Sequence, residues 1–150
     1  AGSLTERLFR RGAQLLKEVL PGYLSGETRA HPQPGAGVVY TRKLTKSDSL
    51  MDWDMDAVAL ERRVRAFNPW PGGHTRWNGK ILKILEAGVV SMAVGDTHGR
   101  VVTMGEGAVG VVTGHGVLAL REVQLEGKAP MASHEFVRGH SGFIGAVLPT

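Results

Sequence analysis

The sequence predicts a mainly β domain, a small closed or nearly closed barrel. It follows an N-terminal amphipathic helix and an extended linker, and carries one or two short helices of its own. Three observations predict this. Short β-type segments separated by Gly, Asp and His turns fill residues 74–125. Helical spacing of apolar residues is confined to two earlier stretches. Between those stretches, His31-Pro32-Gln33-Pro34-Gly35-Ala36-Gly37 supports neither helix nor strand and favours an extended path. The chain divides accordingly into a helix over residues 1–24, a linker over 25–47 and a barrel domain over 48–150.

Ser3-Leu4-Thr5-Glu6 has the pattern of a capping box, in which the Ser and Glu side chains satisfy free N–H groups at a helix start. Leu4, Leu8, Leu15, Leu16 and Val19 then recur at helical spacing, and Pro21-Gly22 is the expected stop. The apolar stripe packs either on the same domain or on a surface beyond it; spacing leaves both open. Thr41-Arg42-Lys43-Leu44-Thr45-Lys46 forms a short basic stretch. Asp52-Trp53-Asp54 is placed to cap a second helix, on which Ala57, Leu60, Val64 and Phe67 share a face. Arg62 and Arg65 fall opposite that face, Arg63 at its edge, and Pro69 and Pro71 end the helix. Asn78-Gly79 is the strongest hairpin signal, because both residues tolerate positive φ. Ile81–Leu85, Val89–Val94, Val101–Met104, Val109–Thr113 and Val117–Leu125 are the candidate strands. Their spacing suits a barrel rather than a parallel sheet. Ser133–Arg138 reads as a final short helix.

Composition narrows the function classes. The 150 residues are 42% hydrophobic, enough for a core, and contain no Cys, which excludes disulfide frameworks and Cys-based zinc sites. The net charge of +4 and pI near 9.8 permit an acidic partner without requiring one. No run approaches the roughly 20 apolar residues of a membrane-spanning helix. Glu6, Arg7, Arg10 and Arg11 break up any secretory signal core.

Catalytic motifs are missing. His31, His74, His98, His115, His134 and His140 have no ligand spacing, so no metal is expected. No G-x-S-x-G elbow occurs. Asp52, Asp54 and Asp56 read as capping and helix-dipole residues. Gly105-x-Gly107-x-x-Gly110 matches a dinucleotide spacing, but Val111-Val112-Thr113 follows it where a helix would be needed. The basic residues Arg42, Lys43, Lys46, Arg62, Arg63, Arg65, Arg76, Lys80, Lys83 and Lys128 lie in the linker, the second helix, the first hairpin and a late turn. A barrel bearing them can follow a phosphate backbone without reading sequence. A merely solvated face has the same composition.

Val64-Arg65-Ala66-Phe67-Asn68-Pro69-Trp70-Pro71-Gly72-Gly73 resembles the signature of the C-terminal domain of the methionyl-tRNA formyltransferase family. Lys43-Leu44-Thr45-Lys46 with Asp52-Trp53 resembles the family's linker and lead-in helix. Asn78-Gly79-Lys80, Leu82-Lys83-Ile84, Thr113-Gly114-His115-Gly116 and Gln124-Leu125-Glu126-Gly127-Lys128 follow in the family's order, then Met131 and Phe136. Upstream, Gly12-Ala13-Gln14-Leu15-Leu16 and Pro32-Gln33 resemble the end of the family's catalytic domain and its exit. Ala129-Pro130, where the family runs on with basic residues, and His115, where Asp is usual, are departures. The first weakens the basic surface there; the second suits the turn.

The resemblance implies an OB-like barrel and a linker that together hold the acceptor arm of initiator Met-tRNA. It implies formyl transfer from 10-formyltetrahydrofolate in a bacterial cytoplasm. Folate binding and the catalytic Asn, His and Asp would belong to an N-terminal domain with no matching positions here, so the chain alone is expected to be inactive and to hold no cofactor. Residues 1–24 would be that domain's terminal helix. Lys43 and Lys46 match the linker motif and are the first RNA-contact candidates. Arg42, Arg62, Arg65, Lys80, Lys83 and Lys128 join them on charge and expected exposure. Phe67, Asn68, Pro69, Trp70, Pro71 and Gly72 form the structural signature, with Trp70 expected to anchor the helix to the barrel rather than stack on a base. Two other readings stay open. One is a related formyltransferase acting on a sugar nucleotide or formylfolate, and the other is a protein-interaction module.

Overall fold

The computed structural model describes residues 1–92 and 97–149. It divides into two compact units, Ala1–Lys43 and Leu44–Thr150.

The first unit is a helix and an extended tail. Helix α1 spans Gly2–Ser25, and Gly26 closes it at φ 81° with its N–H donated to Tyr23 O. Two expectations fail here. Ser3 and Glu6 make no capping box, because the helix begins one residue earlier and Ser3 lies inside it. Pro21 does not end α1 but sits within it. Proline removes one intrahelical bond, and in a helix this exposed water can satisfy the carbonyl left over. No residue of α1 is buried. Glu6 and Arg10 pair at 2.6 Å on its polar side. Residues 29–43 contain only a turn at positions 36–37 and are exposed throughout.

The second unit opens with a short 3-10 turn at Lys46–Ser49, where the carboxylate of Asp48 accepts from Thr45 N at 2.7 Å. Helix α2 spans Ala57–Phe67. Its cap is Asp56, which accepts from Ala59 N at 2.6 Å, and not Asp52 or Asp54. Asp52 instead caps a turn, accepting from Asp54 N at 3.1 Å. Ala57, Leu60 and Val64 are the buried face.

Six antiparallel strands make one curled sheet: β1 His74–Trp77, β2 Lys80–Val90, β3 Val101–Thr103, β4 Val109–Val112, β5 Val117–Leu125 and β6 Met131–Ala132. Their order is β1-β2-β5-β4-β3, with β6 beside β5. Asn78, at φ 49°, and Gly79, at φ 72°, turn β1 into β2 as the dipeptide predicts. Two expected strands merge. Ile81–Leu85 and Val89 onward are one strand, β2, because register shifts around Glu86 absorb the break in alternation. Val94, in the second of those expected strands, lies outside the described residues. Such shifts increase local twist, and the long β2–β5 pair curls the sheet into a half-barrel. Among the described residues no pairing joins β1 to β3. Helix α3, Ser133–Gly139, follows β6 close to its expected place.

The core fills the inside of the curl. Leu82, Ile84, Val101, Val111, Leu118 and Val123 from the sheet meet Leu60 and Val64 of α2. Trp77 packs edge-on to Phe136 and Phe143, with ring centroids 5.6 and 5.3 Å away. Gly105–Gly107 forms a 3-10 turn and Gly110 lies in β4, so the glycine spacing noted above builds sheet structure.

Candidate nucleic-acid interface

The outer face of the sheet follows from strand alternation. In β1 Thr75 and Trp77 point into the core, which leaves His74 and Arg76 outside. Register then sets their neighbours. His74 lies opposite Lys83 and Arg76 opposite Ile81, while Lys83 lies opposite Gln124 on β5. Directly opposed residues share a face. Lys80 follows the β1–β2 turn and lies opposite Trp77, at the other end of β1 from Lys83. The turn after β5 joins it: Ile81 N donates to Glu126 Oε2 at 3.0 Å, and Glu126 N donates to Ile81 O at 2.8 Å. Gln124 Nε2 donates to Lys128 O at 2.9 Å, which fixes that turn against the sheet. Ile81, Lys83, Gln124 and Glu126 line a groove of about 240 Å³ between the two turns.

Register therefore puts Lys83 on the outer face, with Lys128 on the adjoining turn, while Lys80 lies opposite Trp77 at the hairpin end of β1; all three are exposed. Arg76 belongs with them, although motif matching does not select it. The signal that finds it is strand parity, because it is the exposed residue of a buried–exposed alternation in β1. Its guanidinium bends back to Gly79 O at 3.3 Å, over the hairpin turn.

The remaining candidates sit elsewhere. Arg62 and Arg65 are exposed on α2, and Arg65 is paired with Glu61 at 2.6 Å. Helix α2 leads to the start of β1, whereas Lys80 follows its end. Lys46 lies on the 3-10 turn of the second unit; Arg42 and Lys43 lie in the first unit. Arg63 has a structural role. It donates to Asp48 O at 3.0 Å and to Met55 Sδ at 3.1 Å, and lies over the Phe67 ring.

The signature loop differs from expectation at one residue. Phe67 is half-buried, and Asn68 Nδ2 donates to Leu85 O at 3.3 Å, as structural residues do. Gly72 N donates to Phe67 O at 3.0 Å, closing the loop. Trp70, however, is 53% exposed and does not anchor α2 to the sheet. Gly73, at the end of the loop, lies against the Met51 methyl and the Val64 side chain. Trp53 and Trp77 are the buried indoles.

The Thr113-Gly114-His115-Gly116 turn is a brace. Gly114 N donates to Trp53 O and Met55 O, both at 2.9 Å, and His115 O accepts from Ala57 N at 3.0 Å. This fixes the start of α2, and a Cβ on Gly114 would collide with Asp54 O. No group of three His, Asp or Glu side chains suited to a metal occurs among the described residues. The histidines make local contacts, such as His98 Nδ1 donating to Asp54 Oδ1 at 2.8 Å and His140 Nδ1 to Phe136 O at 2.8 Å.

The family described as formyl transferase, C-terminal domain, matches residues 43–141, which take in α2, the sheet and α3. The chain belongs to that family. The matched residues include the half-barrel, the signature loop and the brace described above. Methionyl-tRNA formyltransferase of Chloroflexus aurantiacus is 41% identical over 140 residues, covering 93% of this chain and 45% of that protein. The enzyme of Myxococcus xanthus is 39% identical over 140 residues, covering 93% and 44%. These matches run back through the linker into α1. The chain spans less than half the length of these relatives. Among solved structures, a HypX variant from Aquifex aeolicus superposes with a TM-score of 0.63 at 19% identity, over 84% of this chain and 22% of that one. HypX solved with tetrahydrofolic acid gives 0.61 at 20% identity, over 87% and 22%. At such identity the likeness shows the fold. No helix among the described residues is long and apolar enough to cross a membrane.

Proposed function

We propose that this chain is the RNA-holding part of a methionyl-tRNA formyltransferase. The whole enzyme would transfer the formyl group of 10-formyltetrahydrofolate to the methionine amino group of initiator Met-tRNA in the bacterial cytoplasm. The observation that carries the reading is the exposed basic set Arg76, Lys80, Lys83 and Lys128 on the β1–β2 hairpin and the turn beside it, in a chain similar to enzymes named for that reaction. Such a surface binds phosphates by charge and leaves sequence unread. Lys43 and Lys46, on the matched linker motif, and Arg42, Arg62 and Arg65 are further candidates for phosphate contacts.

The catalytic groups and the folate belong, in this reading, to the half of the relatives outside the match. Residues 1–24 are then the last helix of that half, and their apolar face is covered by it. The chain itself positions the RNA and performs no step of the transfer.

Titration of the chain with initiator-type tRNA, by fluorescence anisotropy at several salt concentrations, tests this. Affinity should fall steeply with salt. A Lys80→Gln/Lys83→Gln variant should bind more weakly, with a log–log salt slope reduced by about 0.7–0.9 per lost phosphate contact. Absence of binding at low salt, or binding indifferent to salt, would sink the reading. A Lys43→Glu/Lys46→Glu variant separates the linker's share from that of the sheet.

A further inference from the structure

Trp70 is the one described indole left open to solvent, at 53% exposure against 4% for Trp53 and 6% for Trp77. Its loop is nonetheless held firmly. Asn68 and Gly72 fasten it to β2 and to the end of α2. The rings of Pro69 and Pro71 fix φ on either side of the indole. A rigid loop that withholds a large apolar ring from the core presents that ring to something outside.

Charge indicates what that partner is. From Arg62 to Leu85 the chain has six Lys and Arg and no Asp or Glu, over 24 residues bounded by Glu61 and Glu86. The whole chain carries +4, so everything outside this stretch sums to −2. Trp70 lies in the middle of it, between the arginines of α2 and the basic end of the β1–β2 hairpin. Arg63 is turned inward and Arg65 is paired to Glu61, but Arg62, Arg76, Lys80 and Lys83 are exposed. An apolar protein surface gains nothing from this surplus. A polyanion whose subunits carry flat aromatic rings satisfies both features at once.

We propose that Trp70 is a stacking platform for an unpaired base of the bound RNA, while the basic residues around it hold the flanking phosphates. This rests on the RNA-binding reading above. The base must be unpaired, because within a duplex each base face is covered by its neighbours. The loop leads into the start of β1, where His74 is the register partner of Lys83, so one short stretch of RNA can reach both.

Trp70→Ala, Trp70→Tyr and Lys80→Gln/Lys83→Gln variants are titrated with tRNA and with a blunt RNA duplex at several salt concentrations. Trp70→Ala should weaken tRNA binding about tenfold with an unchanged salt slope, because stacking releases no counterions, and should leave duplex binding as it was. Trp70→Tyr should recover most of the loss. In the unsubstituted chain, iodide should quench the Trp70 fluorescence and tRNA should shield it; this needs no variant to fold. Equal binding by Trp70→Ala and the parent, with the lysine variant weakened, would overturn stacking while leaving the RNA interface intact, and would assign the indole to a protein contact. A parent chain that binds neither RNA would overturn both.

Discussion

Helix α1 is twice the length of α2 and carries more large apolar residues, yet it buries none of them, whereas α2 buries Ala57, Leu60 and Val64. Leu8, Phe9, Leu16 and Leu24 of α1 are each at least 60% exposed, while Leu60 of α2 is at 0%. Both helices are amphipathic, so periodicity does not separate them. What separates them is the chain around each. Helix α2 is capped by Asp56, braced by His115 O, and followed by a loop that turns straight into β1, so the sheet must close on its apolar face. Helix α1 is followed by an exposed proline-rich tail. A hydrophobic stripe specifies which face will be covered; connectivity decides what covers it.

The sharpest test of this contrast is truncation within each face. Leu60→Ala should destabilise the second unit by about 3–4 kcal/mol, because it removes buried methyl groups between α2 and the sheet and leaves a cavity. Urea unfolding followed through the buried Trp77 would measure it. A loss below about 1 kcal/mol would mean that the sheet holds without α2.

The second test concerns what fixes α2 in place. Asp56→Ala should cost about 1 kcal/mol, the usual worth of an N-cap, with no change in the urea dependence of the free energy. Asp54→Ala should cost less than half as much, since Asp54 caps nothing in α2. Equal losses would return the cap to the position first expected from the sequence.

How far the sequence foretold this depends on how each feature is encoded. Period-2 alternation and Asn78-Gly79 are local signals, and β5 and the hairpin turn stand where they point, whereas β1 was not among the expected strands. Side-chain capping is only half local. Ser3-x-x-Glu6 and Thr45-x-x-Asp48 have related patterns, but only Thr45 falls at a real terminus with its partner in reach. The merger of two strands into β2 depends on bulges that pairing with β5 imposes, and no residue of β2 announces them. At the candidate interface charge marks all the basic residues alike, but only strand register puts Arg76 and Lys83 on one face and only packing turns Arg63 inward. Trp70 is the clearest case. Spacing sets no direction for a side chain in a non-periodic loop, and Trp70 is 53% exposed where an anchor was expected.

The smallest expected effect makes the contrast complete. Leu8→Ser/Leu15→Ser replaces two large apolar residues on the exposed face of α1, and should change the stability of the second unit by less than about 0.5 kcal/mol, as surface substitutions do. Hydrogen exchange in the parent chain should agree. Amides of β5 and α2 should exchange only through global unfolding, and those of α1 through easy local opening, since an isolated helix of this length is marginal in water. Strong protection of α1 in a monomeric sample would show that its stripe is already covered, and connectivity would then not explain the difference between the helices. If α1 is instead the closing helix of a preceding catalytic half, the same double substitution should matter only in the longer protein. There it would loosen the fit between halves while leaving the half-barrel untouched, so one pair of leucines would read as surface in one context and as core in the other.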